Sequence, residues 1–301
     1  MNIAGTLETS WELMKRSLGV IRANPRLALF PIISVVCLTA MAIFFLAPLV
    51  ALALGSAGVQ AALHGAGWTG DGEKLKEMFG WMFYSYWAVI YVVSLFAAAF
   101  FNVAFYNEIL RALAGEPVSV RGGLRFAASR VRAIAAWSLL AGTVGLIIRA
   151  VEERMGWLGK IVMGLVGIAW SVAAVFAIPV IVRSGETNPF AVLRDSAGTL
   201  KKTWGESLTG FVGIKLAGAV VVLATFLGVG VVAVAAIVTR SAWVAVPLAA
   251  CWLLGIFAAA FLIGLATHVY RCALYVYASE GVVPEPFTAE MMDAGWRVKK
   301  A

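Results

Sequence analysis

Polar and apolar positions divide the chain into long stretches without Asp, Glu, Lys or Arg, separated by short charged ones. The charge-free runs are Leu27–Leu54, Phe79–Tyr106, Ala133–Ile148, Ile161–Val182, Leu216–Thr239 and Ser241–Tyr270. A bilayer core of about 30 Å takes roughly 20 apolar helical residues. Six transmembrane helices are therefore predicted, at approximately 27–54, 79–106, 133–150, 160–183, 211–239 and 241–270. The third run is short, but Arg132 and Arg149 at its ends can snorkel their charges to the two interfaces. Continuous apolar runs favour helices over barrel strands, which alternate in polarity over about ten residues. Only Arg240 separates the fifth run from the sixth, which predicts a tight hairpin.

The charged stretches carry a different period. Ile3, Leu7, Trp11, Met14, Leu18 and Ile21 recur every three or four residues, the spacing of an apolar stripe on one side of a helix. Asn24-Pro25 ends that helix over residues 1–26. Phe190, Leu193, Ala197, Leu200, Trp204 and Leu208 repeat the stripe before the fifth run, after Asn188-Pro189. A weaker version, Val120, Leu124, Ala127, Val131 and Ala135, precedes the third. The entries are also alike: Ala114-Gly115-Glu116-Pro117-Val118, Ser184-Gly185-Glu186 leading to Pro189-Phe190, and Ser279-Glu280-Gly281 leading to Pro284 and Phe287. Each orders a small residue, a glutamate, a proline and an apolar residue. The expected fold is an all-α polytopic membrane protein. Its six spans form three pseudo-repeated hairpins, each preceded by a cytoplasmic amphipathic helix, and residues 271–301 form a cytoplasmic tail. Parallel repeats of this kind occur in transporters, and duplication without transport leaves the same trace.

Composition sharpens the membrane assignment. The chain of 301 residues is 62% hydrophobic and 13% charged, with mean hydropathy +0.91. Soluble domains carry about 25% charged residues, so this chain lacks the polar surface to cover a core in water. The net charge of +8 is unevenly placed. Lys74, Lys76, Arg149, Arg154, Lys160 and Arg240 lie on one side of the predicted topology, and the remaining 18 of 24 basic residues on the other. The positive-inside rule then puts both termini in the cytoplasm of a bacterial inner membrane. The same asymmetry accounts for the basic balance without nucleic acid. Ala51-Leu52-Ala53 imitates a signal cleavage site, but a preceding run of this length exceeds the usual signal h-region, so an uncleaved first span is expected.

Candidate chemistry is sparse. Cys37, Cys251 and Cys272 form no CxxC pair, two histidines are too few for a histidine-based metal site, and no HExxH, GxxxxGK[ST] or GxSxG occurs. No cofactor, metal or catalytic set is expected. Polar groups at membrane depth remain worth attention: Asn102, Asn107, Glu108, Lys215, His268 and Arg271 form the candidate intramembrane polar site. Glu108 has Arg111 three residues on, offering a local ion pair. Arg149, Glu152, Glu153 and Arg154 suggest an ion-paired loop helix on the outer side. Lys15, Arg16, Arg121, Arg125, Arg132, Lys201 and Lys202 are the candidate contacts to anionic lipid, each worth about 1 kcal/mol near a charged leaflet. Pro31, Pro48, Pro179 and Pro247 lie within spans and offer kinks. Ala141/Gly145, Gly167/Ser171, Ala173/Ala177, Gly213/Ala217 and Ala260/Gly264 permit close helix approach.

The run from Ile148 to Gly159, Ala169-Trp170-Ser171, Ile178-Pro179-Val180, Lys202-Thr203-Trp204-Gly205-Glu206 and Tyr270 to Tyr275 resemble a bacterial family of six-span membrane proteins catalogued as a domain of unknown function. The resemblance implies the architecture and no activity. The expected role is a non-enzymatic inner-membrane accessory or scaffold component. Its basic amphipathic helices would contact anionic lipid head groups or a membrane-protein partner. The alternative is a transporter or lipid-handling protein with a cavity between the repeats.

Overall fold

The computed structural model describes residues 3–65, 72–203, 241–295 and short pieces between 225 and 239, and among these it is helical with no strand. Helix α1 runs Ile3–Ala23, and Asn24 ends it by donating through Nδ2 to the Val20 carbonyl at 3.2 Å. Pro25–Ala28 make a 3-10 turn into α2, Leu29–Gly65. Then follow α3 (Gly72–Leu113), α4 (Val120–Ser129), α5 (Val131–Arg154), α6 (Trp157–Ala173), α7 (Ala177–Ser184) and α8 (Pro189–Thr203). The last two are α9 (Ala242–Glu280) and α10 (Ala289–Gly295).

Among the described residues five helical stretches are long and apolar enough to cross a membrane: Pro25–Ala47, Gly80–Leu113, Val131–Arg154, Gly159–Ser184 and Trp243–Glu280. Most of the fifth expected span, 211–239, lies outside the described residues, as do Trp204, Leu208 and the Gly213/Ala217 pair. The third span is longer than its charge-free run. Helix α5 continues through Arg154, so Arg149, Glu152 and Glu153 belong to its last turns and not to a separate loop helix.

The buried core gathers where helix ends and amphipathic helices meet. Leu27, Phe30, Val103, Ile109, Ile134, Phe176, Ile181, Leu265 and Val269 belong to it. Along the rest of the long helices large apolar side chains stay uncovered, among them Ile43, Phe44, Leu165, Leu254 and Phe257, with Trp243 91% exposed. In water, apolar surface of that extent would drive association; in hydrocarbon it costs nothing.

Of the prolines within spans, Pro179 is the one that follows a break in a described helix. Helix α9 runs uninterrupted past Pro247. Ahead of Pro179, by contrast, the helix breaks at Ala174–Phe176 and restarts as α7. Proline has no N–H to bond the carbonyl four residues back. For Pro179 that carbonyl belongs to Val175; Ser196 on α8 bridges two other groups of the break, its Oγ donating to the Ala173 carbonyl at 2.6 Å and accepting from the Phe176 amide at 3.0 Å. Ser196 is fully buried there.

The expected tail from 271 onward is corrected by the apolar sequence Cys272-Ala273-Leu274-Tyr275-Val276, which is buried and extends α9 ten residues past Tyr270. Beyond it, Phe287 and Met292 are also buried, and α10 packs on α1. Three helices close on left-handed glycines: Gly115 (φ 76°), Gly185 (φ 66°) and Gly281 (φ 70°). These are the glycines of the three similar entries, and a Cβ is disfavoured in that conformation.

Candidate functional site

Polar chemistry concentrates at the end of the bundle that carries these glycines. Its best-built part is the junction of α3 and α4. Glu108, on the last turns of α3, is fully buried. Its Oε1 accepts from Asn107 Nδ2 at 2.9 Å, its Oε2 accepts from the Ser119 amide at 2.7 Å, and Arg111 Nη1 stands 3.6 Å away. Arg111 also reaches Glu116 at 2.9 Å. Ser119 is extended (φ −140°, ψ 117°), and its Oγ accepts from the Gly122 amide at 3.2 Å, which makes it the N-cap of α4. A capping box normally takes its glutamate from the same helix; here the preceding helix supplies it. Gly123 completes the fit, because a Cβ there would stand 2.8 Å from the Ala104 carbonyl and 2.9 Å from Phe30 Cζ.

A second cluster joins α3 to α9. Tyr106 Oη lies 2.9 Å from His268 Nδ1 and accepts from Arg271 Nη1 at 3.2 Å. The phenol can both donate and accept, so it bridges the imidazole and the guanidinium in either tautomer of the ring. Phe105 and Tyr106 both meet the imidazole edge-on, at 5.5 Å between centroids.

The six predicted polar residues thus separate. Asn107 and Glu108 form the α3–α4 junction, and His268 and Arg271 form the α3–α9 contact. Asn102 is half-buried on α3, one turn before Tyr106. Lys215 lies outside the described residues. Ser119 was legible as a helix cap, a serine just before a new helical stretch. Tyr106 and Ser196 had no local signal, since their partners are distant in sequence.

The amphipathic helices bury one edge of their apolar stripes and expose the other. On α1 the buried positions are Leu13, Ser17, Val20 and Ile21, while Trp11 is 54% exposed. On α8 they are Val192, Ser196 and Leu200, while Phe190 is 67% exposed. In both, a small serine faces the bundle and a bulky aromatic ring faces out. Ser17 Oγ donates to the Leu13 carbonyl and so satisfies itself in that tight interface. The α4 stripe stops at Ala127, because the chain breaks at Arg130 and leaves Val131 exposed.

The candidate lipid-contacting cations divide in the same way. Lys15 lies 3.7 Å from Glu12 and 5.7 Å from the Trp11 ring centroid. Arg16 reaches Glu12 at 3.1 Å and donates to the Pro286 carbonyl at 3.3 Å, so it ties α1 to the C-terminal segment. Arg121, Arg125 and Arg132 are exposed and make no ion pair with a described residue. Lys201 is exposed; Lys202 is helical, with its side chain outside the description.

Residues 81–284 match the sequence profile of a family described as "Family of unknown function (DUF6159)". The matched segment includes every string on which the sequence resemblance rests and leaves out α1 and α2. No curated protein and no solved structure matches the chain.

Proposed function

The chain belongs to DUF6159, a family of unknown function, and from that premise we propose a non-enzymatic membrane accessory or scaffold protein. Its basic amphipathic helices contact anionic lipid head groups or a membrane-protein partner. The finer architecture of this reading is six spans in three repeated hairpins, with both termini in the cytoplasm of a bacterial inner membrane. The three left-handed glycines at equivalent turns support the repeat.

One observation carries the reading. Arg121 and Arg125 on α4 and Arg132 at the start of α5 are exposed and have no ion-pair partner among the described residues. Gly123 and Ala127 bury the opposite side of α4, so the arginines there cannot turn inward. Exposed Trp11 and Phe190 add apolar anchors on the other two amphipathic helices. A set of exposed cations together with such anchors suits an anionic leaflet. Reversing Arg121 and Arg125 to glutamate should weaken retention of phosphatidylglycerol by roughly tenfold or more, at about 1 kcal/mol per basic residue. Native mass spectrometry of the purified chain reads this directly. Unchanged lipid retention together with unchanged co-purifying proteins would overturn the reading.

The alternative, a transporter or lipid handler with a cavity between repeats, draws its support from the Tyr106–His268–Arg271 contact between two spans. It loses Glu108, whose two oxygens are occupied at the α3–α4 junction.

A further inference from the structure

At the other end of α5 a groove of about 620 Å³ opens between that helix and the start of α6, lined by Gly145, Ile148, Arg149, Glu152, Glu153 and Lys160. Its charges balance in number, two basic and two acidic. Arg149 Nε and Glu153 Oε1 are 3.2 Å apart and neutralise each other. Glu152, half-buried, and Lys160, exposed, have no ion-pair partner among the described residues. The groove therefore presents one free carboxylate and one free ammonium. Around it the helices turn apolar side chains outward, among them Leu146, Trp157 and Ile161.

We propose that this groove binds the head group of a zwitterionic phospholipid with a primary amine, phosphatidylethanolamine in class. Lys160 takes the phosphate, Glu152 takes the ammonium, and the acyl chains lie along Leu146, Trp157 and Ile161. An anionic head group would pair with Lys160 but leave Glu152 without a cationic partner. A quaternary ammonium has no N–H to donate to a carboxylate and favours aromatic cages, so choline lipids fit less well. Trp157, at the start of α6, stands where interfacial indoles sit. The proposal is independent of the α4 arginines, which lie on a different part of the protein and select a different charge.

The test is native mass spectrometry of the full chain from mixed micelles holding equal amounts of phosphatidylethanolamine, phosphatidylcholine and phosphatidylglycerol. The R121E/R125E background removes retention at α4. The expected result is more ethanolamine than choline lipid retained, with the ratio falling roughly twofold to fivefold in Glu152→Gln, the range of an exposed ion pair. Lys160→Gln should weaken both lipids together and leave their ratio unchanged. A parent ratio of one, or a ratio unaffected by Glu152→Gln, would overturn the proposal. So would phosphatidylglycerol outcompeting both in that background, which would assign the groove to anionic lipid.

Discussion

Replacing Glu108 tests the α3–α4 junction at its centre. Glu108→Leu keeps comparable bulk but removes both acceptors, leaving the Ser119 amide, bonded at 2.7 Å, and the Asn107 amide, bonded at 2.9 Å, without partners. Breaking a buried charged contact from one side costs about 3–5 kcal/mol. Arg111 keeps Glu116 and adds little to the loss. Glu108→Gln is milder: its remaining oxygen can accept from Ser119, and Asn107 can turn its own oxygen toward the new NH2, which confines the loss to about 1–2 kcal/mol. The consequence is local, since Ser119 caps α4. Hydrogen exchange in detergent micelles should show the amides of residues 119–127 exchanging roughly a hundredfold faster in Glu108→Leu, with 1.4 kcal/mol per factor of ten. Glu108→Gln should fall between that and the parent. If both variants exchange within about twofold of the parent, Glu108 does not hold α4 and the junction has been misread.

Other variants probe other contacts. Ser196→Ala leaves the Ala173 carbonyl and Phe176 amide unpaired in the broken fourth span, and should lower thermal stability in micelles by about 1–3 kcal/mol; an unchanged midpoint would show the break is satisfied otherwise. Gly123→Ala drives a Cβ to 2.8 Å from the Ala104 carbonyl, a backbone atom that cannot yield, and should cost about 1–3 kcal/mol. Gly264→Ala, with nothing within 4 Å, should be neutral or gain up to about 1 kcal/mol, and equal effects of the two in a melting assay would refute the packing argument. Tyr106→Phe removes the bonds to His268 and from Arg271 and should destabilise by about 1–2 kcal/mol, visible as faster exchange near residue 268; no change there would remove the contact from the account.

Much of this fold was legible because the bilayer requires long apolar runs, and Leu27–Leu54 or Ser241–Tyr270 announce themselves without alignment. Helix ends were legible for the same local reason: Asn24-Pro25, Gly115, Gly185 and Gly281 all terminate where their backbone preferences dictate. The orientation of the amphipathic helices was not. Periodicity finds an apolar stripe but does not say which edge meets protein, and a helix between spans and lipid uses both. Close approach selected Ser17 and Ser196 for the inner face, and Trp11 and Phe190 were left outside. The extension of α9 was hidden by Arg271, whose charge ends the apolar run although the helix continues. The candidate polar residues were found by chemical type. Their division into two contacts depends on Ser119 and Tyr106, whose roles arise only when chain segments 11 and 162 residues apart meet.

Topology is the most direct test of the central claim that these helices cross a bilayer with their basic ends on one side. Cys37, Cys251 and Cys272 would be replaced, and single cysteines placed at Arg125, Arg194, Trp157 and Trp243 in intact cells. An impermeant maleimide should label positions 157 and 243 from outside, and positions 125 and 194 only after the membrane is opened. Labelling of 125 and 194 from opposite sides, or of all four positions from one side, would contradict the account.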